Sequence, residues 1–242
     1  NVEYFADRQV VQDFIGECPP GVTALDPENP VSIGAYMNDP DLMNNKYQLH
    51  MAMEAARKVI PEVFEEYAKI SGRNYNMVEL YRMEDAEVGL FLLNSAADTS
   101  KDVIDRMREQ GIKVGLISPN VLRPFPAEEI VKACKNLKAL VVGDRADYYG
   151  SDGGAMTHEV KAALKDDPEN QTLVISRIYG LGGQDFYPAD AEAFINLALE
   201  AARTGRVEKP FDYHGVTPGR EDAPVPQGLP PIKREEATGL VE

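Results

Sequence analysis

The sequence has few cysteines and no cysteine motif. Its 242 residues include two, Cys18 and Cys134, which lie far apart and form neither a CxxC pair nor a ferredoxin-type run. A zinc site or an iron–sulfur cluster needs several closely spaced ligands, so the chain by itself is not expected to hold a metal. Both cysteines are predicted to be reduced structural thiols of a cytoplasmic protein, with a disulfide between them as the alternative.

Basic residues are also in deficit. Lysine and arginine total 25 against 40 acidic residues, which gives a formal net charge of −15. Nucleic acids and anionic membranes both bind basic faces, so neither is predicted to be the main partner. No apolar run approaches the roughly 20 residues that span a bilayer, so membrane insertion is not predicted either.

The first residues do not have the features of a signal peptide. The segment NVEYFADRQVVQDFIGE is acidic and amphipathic, whereas a signal peptide has a positive start and an apolar centre. The sequence begins at Asn1 rather than Met and starts within a strand-like segment. A fragment of a longer chain, or a processed chain, is therefore expected.

Catalytic and nucleotide-binding motifs are missing as well. There is no GxSxG, no HExxH and no Gly-Lys-Ser/Thr P-loop. Two glycine-rich stretches, YYGSDGG (148–154) and GLGGQD (180–185), each precede a predicted helix and could hold an anion on backbone amides. A structural turn is the preferred interpretation of both, and His158 is interpreted as a solvated or capping side chain. The chain alone therefore resembles an α/β module without its own active site.

Strand and helix patterns alternate through the centre of the chain. Strands are predicted at 87–95, 113–118, 138–144 and 172–180, and helices at 98–111, 126–136, 153–164 and 188–204. This order predicts an α/β fold with a mostly parallel open sheet and helices on both faces. Ala139–Gly143 is predicted to be a central, fully buried strand, because its apolar run does not alternate.

The two ends of the chain differ from the centre. Residues 1–45 are rich in loop-forming residues and are interpreted as an extended arm. A helix is predicted at about 46–70, with one apolar stripe expected to pack against a domain and with a kink or restart at Pro61. Three regions follow: arm and helix over 1–77, an α/β domain over 78–205, and a proline-rich tail over 206–242, disordered or wrapped on a partner.

The loop after the second predicted strand contains Arg123-Pro124-Phe125-Pro126. Pro124 favours an extended Arg123, and Pro126 stands at the start of the next helix. In open α/β sheets this edge is where ligands and partners bind. Arg123, Pro124 and Phe125 are therefore predicted to lie at a domain or subunit interface, largely withdrawn from water. The alternative is that Phe125 only covers the core.

Three stretches together carry a family resemblance: GRNYNMVELYRMEDAEVGLFLLNS…LRPFPAEEI (72–130), VVGDRADYYGSDGGAMTHEV (141–160) and GLGGQDF (180–186). In this order and spacing they resemble the carboxyl-terminal half of the alpha subunit of 2-oxoacid:ferredoxin oxidoreductases, which include pyruvate synthase and enzymes for 2-oxoglutarate, oxalate and phenylglyoxylate. The resemblance covers roughly residues 1–204. The chain departs from the family at Asn94, where glycine is usual, and in its long proline-rich tail.

The resemblance implies a fold and an activity for the whole enzyme. The domain would resemble the carboxyl-terminal domain of transketolase, and the arm and long helix would be the exit segment of an amino-terminal thiamine-pyrimidine domain. The enzyme would oxidatively decarboxylate a 2-oxoacid, with the acyl group passing to coenzyme A and electrons to ferredoxin. Thiamine diphosphate, Mg and iron–sulfur clusters would be carried elsewhere in the complex, and no catalytic, cofactor-binding or metal residue is assigned in this sequence.

The resemblance also implies partners. They would be the thiamine-diphosphate-binding beta subunit, the gamma subunit and cluster-bearing subunits, assembled as a dimer of the heteromer. Asp144, Arg145 and Asp185 join Arg123, Pro124 and Phe125 as interface candidates. A free-standing nucleotide-binding module, or a scaffold without catalysis, is the alternative. The residues that would select one 2-oxoacid over another are not expected in this part of the chain.

Overall fold

The computed structural model describes residues 7–17, 26–31, 34 and 36–217. The helices are α1 (Arg8–Ile15), α2 (Asp41–Ser71), α3 (Asn94–Glu109), α4 (Ala127–Cys134), α5 (Ala155–Asp166) and α6 (Pro188–Thr204). The strands are β1 (Val78–Tyr81), β2 (Val88–Phe91), β3 (Val114–Pro119), β4 (Ala139–Asp144), β5 (Leu173–Ile178) and β6 (Phe211–Tyr213). Cys18 and the predicted tail beyond residue 217 lie outside the described residues.

The strands form one six-stranded sheet in the order β1-β3-β2-β4-β5-β6. Every pairing is parallel except that of β1 with β3, which is antiparallel. All residues of β2, β3 and β4 are buried, as expected for strands covered on both faces. The predicted α/β class and the central buried strand at 139–143 are therefore confirmed.

Helices cover both faces of this sheet. Helices α3 and α6 pack together on one face, and α4 and α5 pack together on the other. Successive strand residues serve opposite faces: Leu90 belongs to the first core and Phe91 to the second, and both are fully buried. The alternation divides a continuous apolar strand between two cores.

The two edge strands extend the sheet beyond its predicted limits. β1 and β6 are short and partly exposed, so neither shows the apolar run by which the central strands were predicted. β6 pairs with β5 through hydrogen bonds from Ser176 N to Pro210 O at 2.8 Å and from His214 N to Ile178 O at 2.8 Å. The sheet thus continues past residue 205, where the sequence analysis ended the α/β domain.

Helix α2 is a single element of 31 residues, about 46 Å long at 1.5 Å per residue. It begins five residues before the prediction and runs through Pro61, so the predicted restart there does not occur. One missing backbone donor does not end a helix whose turns on both sides continue it. Gly72, with φ 70°, ends the helix and donates its N–H to Ala68 O at 2.8 Å.

Candidate functional site

The carboxyl edge of the parallel strands contains a topological switch. The chain leaves β2 for α3 on one face and leaves β4 for α5 on the other, and β2 and β4 are neighbours. A crevice forms between loops that diverge in this way. Here it is a cavity of about 130 Å³, lined by residues that include Leu93, Asn94, Asp144, Arg145 and Tyr179.

Asn94 lies at the end of β2 with φ 52°. This left-handed region favours glycine, and asparagine is among the few other residues that adopt it at low cost. The resemblance described above implies glycine at this position. The substitution therefore preserves the turn that the backbone requires.

Asp144 lies at the end of β4 and caps α5. Its carboxylate accepts bonds from Met156 N at 2.8 Å, Thr157 N at 3.2 Å and Thr157 Oγ1 at 2.8 Å. A Cβ atom at Gly154 would approach the Asp144 side chain to 2.4 Å, so glycine is required for this close contact.

Asp144 was predicted as an interface candidate, and it is almost fully buried within this chain. Only 4% of the residue is exposed, and its oxygens have partners on α5. A negative charge already occupies the positive end of that helix, so the YYGSDGG turn does not offer the end of α5 to a phosphate. Asp144 therefore stabilises the domain by capping α5, and its role at an interface stays a prediction.

The GLGGQD turn is also filled by the chain itself. Leu181–Gly183 form one short 3-10 turn, and the Gln184 amide donates to Gly215 O at 3.0 Å. At the start of α6, Asp190 accepts a bond from Tyr187 N at 2.7 Å and contacts His214 Nε2 at 2.7 Å. A carboxylate in this position disfavours an anion, which supports the interpretation as a structural turn.

Arg145 and Asp185 stand at the rim of the same edge, and both are exposed. Arg145 donates from Nη2 to Gly180 O at 3.0 Å, which ties the loop after β4 to the turn after β5. Asp185 accepts a bond from the Tyr187 hydroxyl at 3.0 Å, and this contact raises the pKa of Tyr187. Unlike Asp144, both residues remain accessible in this chain.

The loop between β4 and α5 presents two exposed tyrosines. Asp147 accepts bonds from Tyr149 N at 3.2 Å and from the Tyr213 hydroxyl, and the second bond raises the pKa of Tyr213 to about 12. Tyr149 is 75% exposed and has φ 49°. The loop therefore holds a large aromatic side chain in water in a backbone conformation that such residues rarely adopt.

His158 is held beside this loop. Its ring stacks on Tyr148 with centroids 5.3 Å apart, and its Nε2 lies 3.0 Å from Ser151 Oγ. Its Nδ1 is buried without a hydrogen-bond partner among the described residues. A catalytic serine–histidine pair would have a carboxylate at that nitrogen, so the arrangement does not favour nucleophilic catalysis.

The predicted RPFP loop joins three elements. Pro124 is buried, and Phe125 is half-buried against the core between the sheet and α4–α5. Arg123 is exposed and pairs with Glu159 of α5 at 2.6 Å. Arg57 of α2 donates to Phe125 O at 3.0 Å, a contact over 68 residues that no sequence signal indicated.

The amino-terminal part of α2 exposes its apolar side chains. Leu42, Met43, Tyr47 and Leu49 are 45%, 73%, 62% and 54% exposed. No residue of this helix is buried against the described part of the chain, although Ile60 contacts the domain core and Tyr67 contacts Phe14 of α1. From Met53 onward most of the predicted stripe is half-buried, so within the described residues the prediction that it packs against a domain is met in part.

The described ranges hold no group of three or more His, Cys, Asp or Glu side chains placed to bind a metal. Cys134 is enclosed in the core, and burial raises the pKa of its thiol to about 12, which disfavours the thiolate that metals bind. Both glycine-rich turns are filled by the chain itself, so neither of them fits a diphosphate group. None of the helices in the described ranges has the length and apolarity needed to cross a bilayer.

Comparisons with known proteins match both the sheet region and the helix before it. Residues 86–191 match a family model described as pyruvate:ferredoxin oxidoreductase core domain II. The chain is 39% identical over 210 residues to pyruvate synthase subunit PorA of Pyrococcus abyssi, which covers 87% of this chain and 53% of the relative. It is 31% identical over 208 residues to ketoisovalerate oxidoreductase subunit VorA of Pyrococcus horikoshii, covering 86% and 52%.

A solved structure of 2-oxoglutarate:ferredoxin oxidoreductase from Magnetococcus marinus, with 2-oxoglutarate, coenzyme A and succinyl-CoA bound, is 22% identical with a TM-score of 0.40. That match covers 53% of this chain and 20% of the other. The chain spans about half the length of the curated relatives it matches.

Proposed function

The chain belongs to the 2-oxoacid:ferredoxin oxidoreductase family, and we propose that it acts as the carboxyl-terminal part of the alpha subunit of such an enzyme. The 39% identity to a PorA subunit over 210 residues is the observation that carries this proposal. It extends beyond the matched domain into the arm and α2, so it involves more than a shared α/β fold. In this role the chain would contribute to oxidative decarboxylation as one component of a multi-subunit complex.

The proposed role of this part of the subunit is to make contacts that assemble the complex. The amino-terminal part of α2 exposes several large apolar side chains, and apolar side chains that stay in water within one chain are typical of surfaces that a partner covers. The RPFP loop lies against the same helix through the Arg57–Phe125 bond. We therefore assign Arg123, Pro124, Phe125, Arg145 and Asp185 to contacts with other domains or subunits.

The three-region organisation is part of the same proposal. Residues 1–77 would leave an amino-terminal thiamine-pyrimidine domain, the α/β domain would follow, and the proline-rich segment after it would be specific to this subunit. The coverage of about half of each relative supports this arrangement. Partners would be the beta, gamma and cluster-bearing subunits, in a dimer of the heteromer in the cytoplasm.

Thiamine diphosphate, Mg and iron–sulfur clusters would be held by other parts of the complex. The described residues do not gather metal ligands, and carboxylates occupy the starts of α5 and α6, which follow the two glycine-rich turns. The residues present here would therefore position neighbouring domains and exclude water from their contacts. The relatives' names include both pyruvate and ketoisovalerate enzymes, so the substrate is proposed only as a 2-oxoacid.

Purification of the complex through an affinity tag on this chain tests the proposal. We expect cluster-bearing polypeptides to purify with it, giving a brown preparation that reduces ferredoxin when pyruvate or another 2-oxoacid is added with coenzyme A. The 242-residue chain alone should show no such reduction. A tagged chain that purifies as a single species and binds a nucleotide would instead support a free-standing module.

A further inference from the structure

A second cavity lies far from the RPFP loop in the sequence, beneath the carboxyl-terminal end of α6. It measures about 480 Å³ and is formed by β5, α6, β6 and the turn between the last two. Its walls include four aliphatic side chains, those of Ile175, Leu197, Ala201 and Val207. We refer to it as the Arg177 cavity, because the Arg177 side chain also lines it.

Arg177 is a charged residue on β5 in an otherwise apolar register. It follows Ser176, whose hydroxyl faces α5, so the arginine points to the α6 face together with Ile175. Only 5% of the residue is exposed, and burial lowers the pKa of its guanidinium. A buried charge is costly unless an opposite charge or hydrogen bonds compensate for it.

The bonds that Arg177 makes leave much of its guanidinium unused. Nη1 donates to Ser176 O at 2.6 Å and to Lys209 O at 3.1 Å. Within the described ranges, Nε and Nη2 have no protein acceptor, and neither is among the fully enclosed unpaired atoms. These two donors therefore face the open cavity, in the fork geometry that matches a carboxylate.

The other charges around the cavity do not neutralise this donor pair. Asp212 attracts Arg177 electrostatically but lies in an ion pair with Lys209 at 2.7 Å. Glu200 pairs with Arg203 at 2.6 Å. The remaining lining charges, those of Arg206 and Glu208, are exposed at the rim and have opposite signs.

We propose that the Arg177 cavity binds a small aliphatic carboxylate, with its carboxylate on Nε and Nη2 of Arg177 and its apolar body against the aliphatic walls. A single guanidinium suits one carboxylate, and the apolar walls favour a hydrocarbon body over a multiply charged phosphate ester. The site is separate from the assembly surface and does not depend on the proposed function.

Calorimetric titration of the 242-residue chain with hexanoate tests the site, and hexanamide serves as a neutral probe of the same shape. We expect saturable binding of hexanoate, and hexanamide binding at least tenfold weaker, about 1.4 kcal/mol. Arg177→Met should weaken hexanoate binding at least tenfold. Arg106→Met, which removes an exposed arginine of α3 whose partner Glu192 does not line the cavity, should leave it unchanged.

Arg177→Lys supplies the second variant. Lysine keeps the positive charge but lacks the paired donors of the guanidinium, so we expect an affinity for hexanoate between those of the original chain and the methionine variant. If Arg177→Met does not fold, as judged by circular dichroism, the lysine variant decides the question. Equal binding of hexanoate and hexanamide, unchanged hexanoate binding by a folded Arg177 variant, or no saturable binding at all would overturn the proposal.

Discussion

The sheet and helix α2 use apolar residues in opposite ways. Strands β2, β3 and β4 bury every residue, whereas α2 buries none of its 31 against the described part of the chain. Leu90 is fully buried, and Leu49, with the same side chain, is 54% exposed. The domain is therefore stabilised by its own core, whereas α2 leaves much of its apolar surface exposed.

Polar contacts show the same difference. Inside the domain, Asp144 accepts three hydrogen bonds, and Thr157 and Ser176 continue the network across the sheet, with their hydroxyl oxygens 2.9 Å apart. Between α2 and the domain, the Arg57 side chain donates a hydrogen bond to the Phe125 carbonyl. Substitutions in the two regions should then separate stability from assembly.

The largest effect is expected from Phe194→Ala. Phe194 is fully buried on α6 and contacts the rings of Tyr179, Phe186 and His214. Removing its ring should lower the free energy of unfolding by about 3–5 kcal/mol, measured by urea denaturation. A loss below about 1 kcal/mol would show that this core tolerates cavities and would weaken the contrast with α2.

Asp144→Ala should have the next largest effect. It leaves two amides and one hydroxyl at the start of α5 without their acceptor, so we expect a loss of about 2 kcal/mol in unfolding free energy. Asp147→Ala, in the exposed loop that follows, serves as the control and should cost less. If the two variants are equally stable, the capping role of Asp144 is wrong.

Phe125→Ala tests the boundary between the regions. Because Phe125 is half-buried in this chain, its truncation should cost about 1–2 kcal/mol of domain stability, less than full burial would imply. Assembly with the partner subunits, measured by size-exclusion chromatography of the complex, should weaken more than the stability loss explains. If the Phe125→Ala complex is unchanged, the RPFP loop has no role beyond leading into α4.

Because Cys134 is buried as a neutral thiol, we expect the domain to lose stability at alkaline pH. Burial raises its pKa from an ordinary 9.0 to about 12 in the folded chain. The stabilisation of the neutral thiol is complete below about pH 9 and is lost as pH rises towards 12. At pH 10 the loss should be about 1 kcal/mol, relative to pH 8.

The comparison variant for this prediction is Cys134→Ala. Both proteins are unfolded in urea at pH 8 and pH 10, so other titrating groups contribute equally. The alanine variant should lose less stability between the two values. Parallel losses would mean that the thiol is accessible in the folded state, which iodoacetamide labelling would then show directly.

Leu49→Asn should have the smallest effect on folding. The side chain is mostly exposed, so the unfolding free energy should change by less than about 0.5 kcal/mol. Its effect should appear in the complex, as faster dissociation of this subunit. A matched substitution at Lys58, on the same helix, should change neither quantity. If the two variants dissociate from the complex at the same rate, Leu49 does not lie on the assembly surface.

Local patterns were enough to predict the central elements. The apolar run at 139–143 gave a buried strand, and α6 has the predicted limits, with Pro188 at its start and Gly205 at its end. The edge strands β1 and β6 were missed because they are short and partly exposed, and strands of this kind are recognisable only through their pairing with a neighbour.

The amino-acid sequence by itself determined the alternation of strands and helices, the continuous burial of the middle strands and the family resemblance, because these are properties of consecutive residues. The tertiary structure alone decided that Asp144 caps a helix, that Arg57 reaches the RPFP loop, and that Arg177 lines a cavity. Each of these depends on the distance in space between residues 12 to 68 positions apart or on the packing of separate elements, and side-chain periodicity carries no information about either.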